Sequence, residues 1–375
     1  MAHKTRLGYR MPFDNFTVSH PVIKTRALPF LTSMQTQNAS HDLTVTFLLK
    51  SDTYPGQPEV KAIETHMSWI FLAGHFAYKM KKTMAYDHLD YRMLEARHHF
   101  CEEELRLNRR FSTNVYLELV PVTAGVHGQL SLYGAGKTVE WLIKMRRLPA
   151  DRMLDYRLRH YPVLPKEIRK VTELLSRFYL RCTPADISAA QYRQQLMQNI
   201  DDTEHALMQF PTLLSQENVR HIGARLRAMV QWQAARFDDR VRHGKIIEGH
   251  ADLRPEHICL EVDAEPVIFD CLEFSQKLRM LDAADDIGFL ALECERMGFP
   301  DISSSILNDY RSLTKDRVPN QLVHFYKAYR AYVRAKIAIW HQREPQYCHS
   351  QQWIRQTQQY LALADRHAQA WPEMT

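Results

Sequence analysis

Apolar positions change their spacing partway along the chain. Residues 67–82 (MSWIFLAGHFAYKMKK) hold two short apolar or alternating runs around Ala73-Gly74-His75, the pattern of a β-hairpin. Residues 94–111 (LEARHHFCEEELRLNRRF) contain no Gly or Pro and space Leu94, Phe100 and Leu107 as a helix would. Residues 115–123 and 139–145 read as strands on either side of a glycine-rich turn at Gly134 and Gly136. Residues 43–49 (LTVTFLL) also have strand character, within a first stretch broken by Pro12, Pro21 and Pro29. After Pro149 long helical patterns take over, at 167–179, 189–208, 217–240, 284–297 and 322–340. Between them, 258–260 and 266–269 form a second small hairpin around Asp263-Ala264-Glu265.

This pattern predicts an α+β chain in three parts: an irregular arm over 1–50, a strand-rich lobe with one helix over 51–146, and a mainly helical lobe over 147–375. A length of 375 residues suits two lobes. With 45% hydrophobic and 25% charged residues a packed interior is expected rather than disorder. The six cysteines are scattered without a CxxC pair, so they read as reduced and mostly buried thiols. There is no apolar leader and no run near the roughly 18 residues a membrane span needs, so the expected compartment is cytoplasmic, without a membrane partner. The net charge is +6, but basic and acidic residues interleave, which argues against nucleic acid. The local basic stretches at 79–82 and Arg146-Arg147 suit polyphosphate equally well.

The chemistry concentrates in 249–270, GHADLRPEHICLEVDAEPVIFD. A His-x-Asp tripeptide precedes the small hairpin and a second aspartate ends its far strand, so Asp252 and Asp270 are brought to one edge. Phosphoryl transfer needs such a pair: one carboxylate orients the attacking hydroxyl and the other holds a metal against the phosphates.

HADLRPEH, then VIFDCLEF, then LDAADDIGFLALE, resembles the HGDxxxxN, iDf and DPxxDLA signatures of the aminoglycoside phosphotransferase-like kinases. The similarity is nearest to a bacterial group of unknown substrate and runs over about 64–340. It implies a protein-kinase-like two-lobed fold and an ATP-dependent phosphotransferase acting with Mg²⁺ on a hydroxyl of a small molecule or protein. Asp252 matches the catalytic-loop aspartate, with His250 as its structural orienter. Asp270 matches the principal metal ligand and Asp286 the brace of the loop. His257 stands where the family has the asparagine that completes the metal shell, and imidazole is a poorer Mg²⁺ ligand, so Mn²⁺ is a further expectation. Ala251 replaces the usual glycine.

In the first lobe the resemblance gives the phosphate-binding lysine to strand FAYKMKK, with Lys81 favoured over Lys79. Both lie on one face by alternation. Their glutamate partner is Glu104, with Glu103 as the alternative. Residues 139–149 look like the last strand running into an adenine hinge. No GxGxxG covers the phosphates; the turn at Gly74 offers a single glycine. Arg330, Arg334 and Lys336 could line a substrate cleft, although core packing explains their helix more simply. The mixed charge of the helical half argues against a polycationic acceptor. Two other classes are a nucleotide-binding pseudokinase serving as an interaction module and a P-loop NTPase at Gly134-Ala135-Gly136-Lys137-Thr138. The P-loop reading fails two requirements, since Ser131 replaces the first glycine and a strand pattern follows instead of a helix.

Overall fold

The computed structural model describes residues 33–86, 89–344 and 350–371. Helix α1 (Ser33–Leu48) precedes strands β1 (Val60–Glu64), β2 (Ser68–Ala73) and β3 (Phe76–Lys81), and the two-residue strands β4 (Ala85–Tyr86) and β5 (Leu89–Asp90) pair with one another. Helix α2 (Leu94–Arg109) follows, then β6 (Tyr116–Ala124), β7 (Leu130–Leu132) and β8 (Lys137–Arg146). Six of these strands form one antiparallel sheet in the order β1-β2-β3-β8-β6-β7.

Strand alternation sorts the sheet's two faces. Tyr78 and Met80 join Phe71, Val120, Val122 and Leu142 beneath Leu48 of α1. Ala77, Ile143 and Met145 pack with Cys101 of α2 on the opposite face. Lys79 and Lys81 share the parity of Ala77, and both reach the α2 side.

The strand expected at 43–49 is instead the last part of α1. Its apolar and β-branched run misled, because Thr44 and Leu48 are buried one helical turn apart while Leu43 is exposed. Packing on the sheet overrides the local strand preference. The expected irregular arm thus contains helix in its described part.

The second lobe is helical: α3 (Leu154–His160), α4 (Pro165–Arg181), α5 (Ala189–Met208), α6 (Gln216–Trp232) and α7 (Ala234–Arg242) come before the loop strands β9 (Ile246–Glu248), β10 (Ile258–Cys259) and β11 (Val267–Ile268). Short α8 (Gln276–Arg279), strand β12 (Met280–Asp282) and helices α9 (Ala283–Arg296), α10 (Pro300–Thr314), α11 (Asn320–Trp340) and α12 (Gln351–Ala368) complete it. The single helix expected over 217–240 breaks at Gln233, whose backbone is not helical. The break lets α6 bury Val219, Ile222 and Leu226 while α7 turns Phe237 and Arg240 inward.

The glycines of the rejected P-loop have a packing role. A Cβ on Gly136 would stand 2.1 Å from the carbonyl oxygen of Ala124, so this turn closes only with glycine. Lys137 then opens a strand, not a helix. Cys101, Cys259, Cys271 and Cys294 are buried and free and Cys182 is half-buried; Cys348 lies outside the described residues. No helix among the described residues is long and apolar enough to cross a membrane.

Candidate active site

Strand β9 leads through Gly249 into His250-Ala251-Asp252, and this loop is held from below. The Asp286 carboxylate, at the start of α9, accepts from the backbone N–H of His250 and of Ala251, both at 2.9 Å, and from the Tyr179 hydroxyl at 3.3 Å. Ala251 takes a left-handed φ of 66°, the conformation the missing glycine would adopt freely. Arg330 donates to the Ala251 carbonyl at 3.2 Å while both arms of its fork hold Asp285 at 2.7 Å. Burial, opposed by Arg330, lifts the Asp285 carboxyl to about 6.

His250 is fully buried. Its Nδ1 accepts from the Asp252 N–H at 3.3 Å, so the ring proton sits on Nε2 and is donated to the Phe269 carbonyl at 2.9 Å. Burial depresses its pKa to about 4, and it stays neutral at ordinary pH. It ties the loop to the strand that carries Asp270.

The β10–β11 hairpin returns the chain to that loop. Asp270 follows β11 with a left-handed φ of 64°, which turns its carboxylate back toward Asp252. His257 stands between the two: its Nε2 is 3.4 Å from Asp270 Oδ2, and its Nδ1 is 3.7 Å from Asp252 Oδ2. Nδ1 donates to the Asp252 carbonyl at 2.8 Å, which leaves the Nε2 lone pair facing Asp270 and accepting from Arg254 Nη2 at 3.1 Å. Arg254 Nη2 also donates to Asp252 Oδ2 at 3.0 Å. Burial works against the Asp252 charge, but Arg254 and Arg334 outweigh it and hold the carboxyl at about 2. Asp270 is likewise opposed by burial and pulled well below the carboxylate range by Lys79. Both are anions at neutral pH.

The sheet lobe adds the cations. Lys79 Nζ lies 2.7 Å from Glu104 Oε1 and 2.6 Å from Asp270 Oδ1, bridging the lobes. Lys81 Nζ lies 2.7 Å from Glu104 Oε2 and 2.5 Å from Glu273 Oε1, which also accepts from the Tyr91 hydroxyl. Burial disfavours both ammonium charges, yet the carboxylates outweigh it and raise both pKa values. Lys81 retains 1% side-chain exposure and Lys79 12%, so Lys79 is the one that faces the cleft. Glu103, the alternative partner, turns away to Arg106 at 2.9 Å and Arg279 at 3.3 Å.

The sequence singled out neither Arg254 nor Glu273, though both lie inside the quoted motifs DLRPEH and DCLEF. It also misplaced the turn that borders the lysines. Ser68 pairs with Lys81, and the Lys82 N–H donates to the Met67 carbonyl at 2.8 Å, so Thr65-His66-Met67 is the turn at that end of β3. Gly74 lies at the far end, where His75 accepts from the Arg147 N–H at 2.9 Å. A cavity of about 1270 Å³ exists elsewhere, walled by Phe111, Arg177, Phe178, Gln195 and Lys277; none of Lys79, Asp252 or Asp270 lines it. A large hollow is therefore no guide to the charged cluster.

No protein-family model matches the chain. Its structure is similar to a choline/ethanolamine kinase family protein from Mesorhizobium loti, with a TM-score of 0.53 at 14% identity over 88% of this chain and 94% of that one. Choline kinase from Cryptosporidium parvum gives 0.54 at 11% identity over 88% and 96%. Plasmodium vivax ethanolamine kinase gives 0.53 at 10% over 90% and 95%. The chain therefore has the protein-kinase-like fold to which its motifs pointed. In sequence it is 31% identical over 295 residues to uncharacterized proteins of Mycobacterium tuberculosis and Mycobacterium bovis, matching 76% of this chain and 56% of each relative. The chain thus spans about half the length of the curated relatives it matches.

Proposed function

We propose that this chain is a phosphotransferase that moves the γ-phosphoryl of Mg-ATP to a hydroxyl of a small-molecule acceptor. One observation carries the reading: Lys79, Glu104, Asp252 and Asp270 come from four separate segments and converge on one cleft of a kinase-like fold. Chains of this fold that act on choline or ethanolamine by their names support the choice of a small acceptor.

Asp252 is ionised and stands on a loop fixed by His250, Asp286 and Arg330, so it can accept a hydrogen bond from the acceptor hydroxyl and hold the oxygen in line for attack. Lys79 is the lysine placed to meet phosphate oxygens, since its ammonium already lies against a carboxylate at the cleft. Lys81 serves beneath it by fixing Glu104 and Glu273. This reverses the preference for Lys81 drawn from the motif alone. Arg254 can neutralise charge developing between acceptor and phosphate.

The donor set suits a divalent cation: Asp270 offers a low-pKa carboxylate and His257 an imidazole nitrogen turned toward it. Held there, Mg²⁺ or Mn²⁺ would offset the negative charge of the phosphate oxygens, and the nitrogen donor favours Mn²⁺. Incubating the chain with γ-labelled ATP and pools of hydroxylated small molecules tests the proposal. Label on an acceptor supports it. Mg-ATP binding without transfer to any pool or to the chain itself replaces it with a nucleotide-binding interaction module, and absence of nucleotide binding overturns both.

A further inference from the structure

We infer that His66, His341 and Glu344 form a binding site for a divalent transition-metal ion, Zn²⁺ in character, which fastens the β1–β2 turn of the sheet lobe to the end of α11 in the helical lobe. The three residues each point one donor atom into a common space, all within 4.8 Å of one another. His66 Nδ1 lies 3.1 Å and His341 Nδ1 2.7 Å from the same Glu344 oxygen. In a tetrahedral site with bonds of about 2.0–2.1 Å, donor atoms stand roughly 3.3 Å apart. Against that spacing the two nitrogen–oxygen distances are about 0.2 and 0.6 Å short, an adjustment that side chains beside an exposed turn can make on taking up an ion.

The surroundings favour a metal over a mere hydrogen-bonded cluster. His341 stacks on Trp353 with ring centroids 3.8 Å apart, and the His66 ring meets the His341 ring edge-on at 5.1 Å and 81°. These ring contacts restrict the planes of both imidazoles before any ion arrives. Lys82, which faces Met67 across the sheet, is engaged with Glu64 at 2.6 Å. Two nitrogens and one carboxylate oxygen select Zn²⁺-like ions over Mg²⁺.

Location gives the site its consequence. His66 lies in the Thr65-His66-Met67 turn at the Lys81 end of β3, and the other two ligands close α11, whose Arg330 touches the loop of Asp252. A metal here holds the two sides of the cleft together and so favours its closed state. That regulatory consequence rests on the phosphotransferase reading, whereas metal binding itself does not.

The test uses the untagged full chain, stripped with chelator and free of nucleotide, titrated with Co²⁺ by visible absorption and with Zn²⁺ by equilibrium dialysis. One ion per chain is expected, with the intense visible bands of tetrahedral Co²⁺. His66→Ala and Glu344→Gln are expected to weaken binding at least tenfold, while Asp270→Asn leaves it unchanged and so separates this site from the Mg²⁺ position. Because His66 is exposed, His66→Ala retains the fold. Zn²⁺ is expected to slow amide hydrogen exchange at residues 65–67 in the wild type and not in His66→Ala. No stoichiometric binding, or binding that survives both ligand substitutions, overturns the site. Binding without added protection at 65–67 overturns the fastening of the turn.

Discussion

Replacing Lys81 and Lys79 separately by methionine should separate stability from nucleotide binding. Lys81 is fully buried between Glu104 and Glu273, so Lys81→Met strands carboxylate charge out of reach of water. Breaking a buried pair from one side costs roughly 3–5 kcal/mol, and Glu104 keeps only Lys79 while Glu273 keeps only Tyr91. Lys79→Met leaves a gentler deficit. Its partner Asp270 is 38% exposed and can rehydrate, and Glu104 retains Lys81, so the loss should be about 1–2 kcal/mol. Nucleotide affinity should show the opposite order. A charge-assisted contact to phosphate is worth about 1.5–3 kcal/mol, so Lys79→Met should raise the Kd for Mg-ATP about ten- to hundredfold. Urea unfolding followed by tryptophan fluorescence, together with displacement of a fluorescent nucleotide, reads both quantities. Normal stability and lost nucleotide binding in Lys81→Met, with normal binding in Lys79→Met, would refute this division of roles.

Three further outcomes are expected. His257→Asn should preserve or raise Mg²⁺-dependent transfer, and the ratio of Mn²⁺ to Mg²⁺ activity should be higher in the wild type than in the variant; loss of activity with both metals would show another role for the imidazole. Arg240→Ala should lower unfolding stability by roughly 3–5 kcal/mol in urea titration, because its guanidinium makes four hydrogen bonds of 2.6–2.7 Å to the buried Asp282 and Asp316. An unchanged urea midpoint would contradict that. His250 has a folded pKa near 4 against 6.5 unfolded, so the unfolded chain binds the proton first and the stability from this group is complete above 6.5 and falls by about 3 kcal/mol as pH drops to 4. Urea midpoints from pH 7 to 4 should decline less steeply in His250→Gln, and parallel declines would remove His250 as a source.

What could be read before the structure was mostly what lies close along the chain. The Asp252–Asp270 pair was legible because one short hairpin joins them, and Glu104 because its helix resembles the one whose glutamate pairs with the phosphate-binding lysine. The choice between the lysines was not, since alternation gives them one face and only the approach of Asp270 and Glu273 tells them apart. The strand reading of 43–49 failed where burial under the sheet set the period. Strand β1 escaped notice because VKAIE is a largely exposed edge, and with it went the true position of the turn bordering the lysines. In the His66–His341–Glu344 cluster only the His341–Glu344 pair is local, and nothing along the chain points from it to His66.

Asp252→Asn asks whether Asp252 positions an acceptor for transfer from Mg-ATP. Transfer of γ-label to the best acceptor and the Kd for Mg-ATP are measured side by side in the wild type and this variant. Transfer should fall about 10²–10⁴-fold with nucleotide affinity within a few fold, because orienting the hydroxyl is not part of nucleotide binding. Transfer at the wild-type rate, or a loss of affinity as large as the loss of transfer, would contradict that positioning role.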